Sequence, residues 1–347
     1  MLSYRHAFHA GNHADVFKHT LLVMLLKRFN AKETPYTVID THAGSARYDL
    51  NDERARKTLD AQSGILKLLE TARHVQEAQS PDRGQPAPQS SAISRDDSQP
   101  SHKSSEPALR ELLLSKCPSG FIDFQKYFHF AKTCLDAGFY PGSPEIERAF
   151  MRAKDCLILS ELHPDEIGAL QRNMRLNAAN AENAPAVHIH HRDGFEALRA
   201  LTPPKTKRGI VFCDPSYEDT SDWEKAANAL IETHKRWASA TLALWYPLVA
   251  VKKIERDAMK QKIIAGIKSG KTERGILDAE LCVNTENSHR ESALKDVKRS
   301  EPPRLYGSGM LVVNPPWKLD EKLGAVLPRL AEALGTDNTG SYEINNY

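Results

Sequence analysis

Four short aliphatic runs, each followed by a polar loop and a helix-like stretch, constrain the fold of this chain more than any other feature. They lie in the segments YTVIDTHAG (36–44), CLILSELHPDE (156–166), VHIHHRDGF (187–195) and GIVFCDPSYED (209–219). Strand, loop and helix in that order form the repeating unit of a parallel sheet covered by helices. With two later runs, TLALWYP (241–247) and MLVVNPPW (310–317), the pattern predicts an α/β fold with six or seven strands in a doubly wound sheet.

The stretches after the second and fourth strands have helical spacing. Asp165 is placed to cap one helix, and Asp222 precedes the other. Apolar residues recur every three or four positions and share one face: Ile167, Leu170 and Met174 in the first helix, and Ala226, Leu230 and Trp237 in the second.

Composition and charge narrow the class of protein. The chain has 347 residues, of which 40% are hydrophobic, so it can bury a large core. Its net charge of +2 does not by itself indicate a nucleic-acid partner. The five cysteines form no CxxC pair, the first residues lack an apolar leader, and no run reaches the ~18 apolar residues of a membrane span. We therefore expect a cytoplasmic protein without membrane partners. We also expect a monomer, although none of these features bears on the oligomeric state.

A long insertion is expected between the first two strand units. In a simple nucleotide-binding unit an acidic residue follows the glycine loop by ~20 residues, but Glu161 follows Gly44 by well over a hundred. We predict a core domain of residues 1–50 and 140–347, and an inserted, mainly helical subdomain of residues 51–139 that forms a wall over the catalytic face. Residues 78–108, rich in Ser, Pro, Gln and Asp, predict a disordered surface loop, and residues 284–304 predict a second loop.

Ligands of such a sheet bind at the carboxyl ends of the strands, so the residues after each strand are the candidate site. Gly44 lets the backbone approach a nucleotide closely, and Glu161 is placed to accept hydrogen bonds from ribose hydroxyls. Asp193 can accept from an adenine amine while Gly194 leaves room for the base. An ordinary solvated Glu at 161 and a plain Asp-Gly turn at 193–194 are the structural alternatives.

The fourth strand ends in DPSY (214–217), close to the [D/N]-P-P-[Y/F/W] pattern of amino-group methyltransferases. Asp214 and the Pro215 carbonyl would accept the hydrogens of the target amine, and Tyr217 would stack on an extruded base. NPPW at 314–317 fits the pattern better letter by letter. It follows a final strand expected to run antiparallel, so we predict a structural turn there, with Trp317 packed on the core.

The N-terminus is rich in histidine, with His6, His9, His13 and His19 near Asp15. A metal site is the alternative to structural or nucleic-acid hydrogen bonds, but no HExxH motif or nearby cysteine supports it, and we expect no metal. Tyr4, Arg5, Lys18 and His19 combine an aromatic ring with cations, a mixture that suits bases and phosphates. A packed N-terminal segment is compatible with that role.

The chain resembles the RlmJ family, the 23S rRNA adenine-N6 methyltransferases. The N-terminal block LSYRHAFHAGNHADVFKH carries the most specific likeness, followed by DTHAG, YPGSP, SELHP, RDGF, ALWYP and GSGMLVVNPPWKL. The likeness covers nearly the whole chain outside the two polar loops. Ser216 departs from it, because the family usually has a second proline there, and the 78–108 stretch is longer than the family pattern.

The resemblance implies a Rossmann-like fold with an inserted helical subdomain, S-adenosylmethionine as methyl donor, and an adenosine of protein-poor large-subunit rRNA as substrate during ribosome assembly. Around the cofactor it implies His19, His42, Ser143, Glu161, Asp193 and Gly194. It also implies Asp214 as the catalytic residue and Tyr4 as a contact to the RNA base. A DNA adenine methyltransferase and a non-catalytic RNA-binding assembly factor on the same fold remain the alternatives.

Overall fold

The central sheet contains eight strands within the described residues. A computed structural model describes residues 6–77, 105–178, 182–268, 275–287, 305–336 and 338–347. The strands are β1 (Thr37–Asp40), β2 (Arg47–Tyr48), β3 (Tyr140–Pro141), β4 (Cys156–Glu161), β5 (Ala186–His191), β6 (Gly209–Cys213), β7 (Thr241–Leu248), β8 (Ile276–Cys282), β9 (Gly307–Val313) and β10 (Ser341–Asn346). The main sheet has the order β10-β8-β9-β7-β6-β1-β4-β5, and β2 pairs with β3 in a separate small sheet.

The strand order reverses beside β1. This strand pairs in parallel with β4 on one side and with β6 on the other, and β5 and β7 extend the parallel part outward. All four residues of β1 are buried, as expected for a strand with both faces covered. The four predicted strand units are therefore confirmed, and the crevice of the sheet lies at the carboxyl ends of β1, β4 and β6.

The predicted number of strands was too low because β8 and β10 lack aliphatic runs. In β8 apolar residues alternate with Asp278 and Glu280, and β10 is polar and largely exposed. Lys260 Nζ lies 2.6 Å from Asp278 and 2.8 Å from Glu280, so these charges are paired in the fold. β9 runs antiparallel to both β7 and β8, which confirms the expected direction of that strand.

The described helices cover the sheet and build the insert. They are α1 (His13–Asn30), α2 (Glu53–Thr58), α3 (Ile65–Glu77), α4 (Ser105–Leu114), α5 (Ser119–Asp136), α6 (Ser143–Phe150), α7 (Pro164–Ala178), α8 (Gly194–Leu201), α9 (Ser221–Arg236), α10 (Lys253–Lys268) and α11 (Leu319–Leu334). The apolar faces predicted for α7 and α9 are buried. Asp165 is not the cap of α7, since its own N–H donates to His163 Nδ1 at 3.2 Å. Among the described helices we find none with the length and apolarity to cross a bilayer.

Helix α1 is buried along most of its length. It packs against α5, α6, α11 and β9, so apolar residues occupy nearly all of its faces. Its first turn is fixed by Asn12, whose side-chain oxygen accepts a hydrogen bond from Asp15 N at 2.9 Å. The helix therefore holds Lys18 and His19 in a defined position near the crevice.

The predicted insert begins just after β2 and ends just before β3, and these two strands pair antiparallel. Between these strands the described residues form α2 to α5, so the described part of the insert is helical, as expected. Helix α4 begins at Ser105, so the loop predicted over 78–108 extended too far at its end. Residues 78–104 lie outside the described residues, as do 288–304 of the second polar stretch.

Candidate active site

A cleft of about 680 Å³ opens at the carboxyl ends of β1, β4, β5 and β6. Eight of the predicted site residues line it: His19, His42, Ser143, Glu161, Asp193, Gly194, Asp214 and Pro215. Tyr217 does not line the cleft, and Tyr4 lies outside the described residues. No described residue between 51 and 139 lines it, so the described part of the insert does not form the expected wall, which stays a prediction for residues 78–104.

Asp40, the last residue of β1, joins two segments of the cleft wall. Its Oδ1 accepts a hydrogen bond from His42 N at 3.1 Å, and its Oδ2 accepts one from Ser143 Oγ at 2.7 Å. Burial raises the pKa of Asp40 to about 7, although both hydrogen bonds act in the opposite direction. The sequence pattern of DTHAG points to its small residues, so the role of Asp40 was not predicted. Its carboxyl group fixes the positions of two site residues, His42 and Ser143.

Gly44 and Glu161 tie the loops after β1 and β4 together. Gly44 has a φ of +59°, and a Cβ there would lie 2.1 Å from the Tyr48 hydroxyl, so only glycine fits. Its N–H donates to Glu161 Oε2 at 2.7 Å, while His163 N donates to Oε1 at 2.6 Å. Burial raises the pKa of Glu161, and the backbone hydrogen bonds oppose that shift. With Leu162 N as a further backbone donor, three of the about four lone-pair sites of the carboxylate are engaged, which leaves about one for a ligand.

Asp193 and Gly194 have structural roles as well as a place in the cleft. Asp193 Oδ1 caps α8 by accepting from Phe195 N at 2.9 Å and Glu196 N at 3.0 Å. A Cβ on Gly194 would lie 2.2 Å from Thr41 O, so the loops after β1 and β5 touch through their backbones. The helix cap fixes the carboxylate at the cleft, so the structural and the ligand-binding interpretations of this pair are compatible.

Lys18 lies between two carboxylates at the floor of the cleft. Its Nζ is 2.6 Å from Asp214 Oδ2 and 2.9 Å from Asp15 Oδ1. Burial alone would lower the pKa of Lys18, but the two carboxylates raise it well above its ordinary value. Burial would likewise raise the pKa of Asp15, but His6 and Lys18 hold it well below its usual range. Lys18 is therefore an ammonium ion beside Asp214 at every physiological pH.

The N-terminal histidines diverge to different partners. His6 Nε2 lies 2.9 Å from Asp15, and His9 Nδ1 lies 2.8 Å from Asp60. His19 Nδ1 lies 2.9 Å from the Tyr140 hydroxyl, and burial lowers the pKa of His19 to about 3, so its ring is neutral. Within the described ranges, no three metal-ligating side chains lie together.

Tyr217 is turned away from the cleft. Its φ is +56°, its hydroxyl donates to Trp245 O at 2.8 Å, and its ring centroid lies 4.2 Å from that of Trp223. The ring is 7% exposed and in this conformation cannot stack on a base in the cleft. Pro215 and Ser216, which precede Tyr217 in this loop, do line the cleft.

Asn314, the competing candidate for the catalytic position, closes a turn. Its Nδ2 donates to Ala238 O at 2.7 Å and Ala240 O at 2.8 Å, and the residue has a φ of +52°. Since β9 is antiparallel to β7, Asn314 lies at the opposite edge of the sheet from Asp214. The expected packing of Trp317 is wrong: its side chain is 72% exposed, because Lys318 takes a left-handed conformation and Leu319 enters the core instead.

Comparison with known proteins identifies the family. A family model described as "Ribosomal RNA large subunit methyltransferase D, RlmJ" matches residues 33–80 and 119–346. Proteins named Ribosomal RNA large subunit methyltransferase J from Escherichia coli K12 and Haemophilus influenzae are 32% and 30% identical, and each match covers 99% of this chain and 98% of the relative. A crystal structure of a Legionella pneumophila protein is 25% identical with a TM-score of 0.69, over 97% of this chain and 98% of the other. The chain belongs to the RlmJ family, the S-adenosylmethionine-dependent methyltransferases of large-subunit ribosomal RNA.

Proposed function

We propose that this protein methylates the N6 amine of an adenine in large-subunit, 23S-type rRNA, with Asp214 as the catalytic residue. The position of Asp214 carries the proposal. It directly follows β6, lines the cleft beside the loop of β1, and is paired with Lys18 at 2.6 Å. A carboxylate fixed at this edge of the sheet is placed to accept a hydrogen bond from an amine in the cleft.

Two features of the cleft fit S-adenosylmethionine. Glu161 presents a half-buried carboxylate suited to ribose hydroxyls, and Gly44 keeps its backbone close to the cleft where no side chain fits. Asp193 and Gly194 would hold the adenine ring, and the remaining cofactor contacts are assigned to His19, His42 and Ser143. When bound, the cofactor supplies a methyl group on a positively charged sulfur, and no metal is required.

The target amine needs help because its lone pair is delocalised into the adenine ring. Hydrogen bonds from the amine to Asp214 and to the Pro215 carbonyl would hold it in a geometry that localises the lone pair. Lys18 binds Asp214 Oδ2, and among the described residues no donor occupies Oδ1, which leaves that oxygen for the amine. Lys18 thereby orients the carboxylate while it binds the substrate.

The substrate assignment extends to protein-poor rRNA met in the cytoplasm during ribosome assembly, with the protein acting as a monomer. Tyr4 remains the predicted contact to the RNA base, since it lies outside the described residues. The two alternatives are a DNA adenine methyltransferase and an RNA-binding protein without turnover.

The test is methyl transfer from labelled S-adenosylmethionine to three substrates: naked large-subunit rRNA, assembled large subunits and duplex DNA. We expect N6-methyladenosine in the naked rRNA, detected by mass spectrometry of nuclease digests, and much less in the assembled subunits. Faster modification of DNA would support the first alternative. RNA binding with no methyl transfer to any substrate would support the second.

A further inference from the structure

A turn of the insert is bound to the segment that leads into α1. We call residues 58–65 the insert turn and residues 8–12 the N-terminal strap. Three hydrogen bonds join them: Ile65 N to Gly11 O at 2.8 Å, Thr58 Oγ1 to Phe8 O, and His9 Nδ1 with Asp60 Oδ2 at 2.8 Å. The strap is therefore held by the insert along its length.

Gly64 brings the two segments into direct backbone contact. A Cβ on Gly64 would lie 2.1 Å from Gly11 O and 2.3 Å from Asn12 C, far inside van der Waals distance. On the other side, Gly11 has a φ of +81°, and a Cβ there would lie 3.0 Å from Ile65 Cγ2. Because backbone atoms form this contact, no side-chain rotation can relieve a change at position 64.

The strap is linked to Lys18 through a single carboxylate. Gly11, whose carbonyl is bound by the insert turn, donates its N–H to Asp15 Oδ2 at 2.8 Å. Asp15 Oδ1 lies 2.9 Å from Lys18 Nζ, and Lys18 Nζ lies 2.6 Å from Asp214 Oδ2. The Asp15 and Lys18 side chains are only 2% and 5% exposed, so water screens these contacts little. Two polar contacts, both made by Asp15, thus connect Gly11 to Lys18.

We propose that the insert turn is a positioning element for the Lys18–Asp214 pair, with Gly64 as its main positioning residue. The proposal rests on the catalytic role assigned to Asp214 above. If the strap is displaced, Asp15 moves with it and no longer contacts Lys18. Because Lys18 then lacks one of its two carboxylate partners, it no longer fixes the orientation of Asp214. The insert thereby contributes to turnover through residues that do not themselves line the cleft. The Kd for the cofactor should change little, because Glu161 and Asp193 lie on the loops after β4 and β5. His19 is the assigned cofactor contact on α1, and it is held separately by the Tyr140 hydroxyl at 2.9 Å.

The first experiment compares Gly64→Ala with Gly324→Ala, its matched control. A Cβ on Gly324 meets nothing nearer than Ile344 Cδ1 at 4.0 Å. We expect kcat on naked rRNA to fall at least tenfold for Gly64→Ala, with the Kd for S-adenosylmethionine unchanged within about twofold and Gly324→Ala equal to wild type. Wild-type kcat in a folded Gly64→Ala protein would overturn the proposal. If wild type itself transfers no methyl group, the proposed function fails instead.

Asp60 supplies a second variant that tests the same contact. Its side chain is 33% exposed, so its substitution is not expected to prevent folding. Asp60→Ala should lower kcat several-fold, and Asp60→Asn, which keeps an acceptor for His9, should restore most of it. A double-mutant cycle then tests the route through Lys18. In a Lys18→Met background, adding Gly64→Ala should lower kcat only slightly further. Fully additive losses would contradict the route, because a general structural defect would act independently of Lys18.

Discussion

Lys18 Nζ lies 2.6 Å from Asp214 Oδ2, although the two residues are 196 positions apart in the chain. The first comes from the N-terminal helix α1 and the second from the loop after β6. Asp15 contacts the same ammonium at 2.9 Å, so Lys18 bridges two carboxylates and remains charged. The pair connects the N-terminal motif to the loop that carries the methyltransferase-like sequence.

Lys18→Met should separate chemistry from cofactor binding. Without the ammonium, Asp214 is no longer oriented, and we expect kcat to fall by about 10²-fold, as for loss of one preorganised charged group. Removing one partner of a buried pair also costs about 3–5 kcal/mol of unfolding free energy, less here because Asp15 keeps His6. Rapid-quench methyl transfer and titration with S-adenosylmethionine provide the two readouts.

Lys18→Arg and Lys57→Met are the controls. Arginine keeps the charge and should recover part of the rate, whereas Lys57, on the exposed face of α2, should tolerate methionine. An unchanged kcat in folded Lys18→Met would remove Lys18 from the mechanism.

His19 should make stability depend on pH on the acid side. Burial lowers its folded-state pKa to about 3, whereas an unfolded histidine titrates near ~6.5, so the unfolded chain binds the extra proton between these values. The contribution of the neutral, buried His19 to the free energy of unfolding is complete above pH ~6.5. It is lost as the pH falls toward 3, by at most about 1.4 kcal/mol per pH unit.

The free energy of unfolding, measured with urea, should fall between pH 6.5 and pH 5 by about 2 kcal/mol more in wild type than in His19→Gln. Comparing the variant with wild type at each pH cancels the other titrating groups. Equal losses in the two proteins would show that His19 takes up its proton in the folded state.

Asn314→Ala should affect stability and spare turnover. The variant loses two buried hydrogen bonds, to Ala238 O and Ala240 O, which costs about 1–3 kcal/mol. Asn314→Gly loses the same bonds but tolerates the φ of +52° better, so it should be the more stable of the two. If kcat falls tenfold or more at a temperature where the protein is folded, NPPW becomes a catalytic candidate again.

The sheet and most of the cleft were predictable because local patterns encode them. An aliphatic run followed by a loop and a helix predicts a parallel strand, and parallel strands bring their carboxyl ends to one edge. Glu161, Asp193 and Asp214 could thus be placed together from the sequence alone. Strand β8 was not predicted, because Asp278 and Glu280 interrupt its apolar pattern. Both charges are paired with Lys260, and that tertiary contact is not visible in the sequence.

Side-chain directions were the part that the sequence could not provide. The contact between Lys18 and Asp214 joins distant segments, and no local spacing encodes it. Tyr217 follows a methyltransferase-like motif, yet Trp223 and Trp245 draw its ring into the core. The turn after β9 predicted a Trp317 packed on the core, but the left-handed conformation of Lys318 directs the side chain into solvent.

The role of Asp214 is tested most directly by single-turnover methyl transfer to naked rRNA, with S-adenosylmethionine binding measured on the same Asp214→Ala and Asp214→Asn preparations. We predict a rate at least about 10²–10³-fold below wild type for Asp214→Ala, with the Kd for the cofactor within about threefold of wild type. Asp214→Asn keeps an acceptor for the amine but lacks the charge that binds Lys18, so its rate should lie between the two. Wild-type rates in a folded Asp214→Ala protein would contradict the assignment of this cleft as the site of methyl transfer.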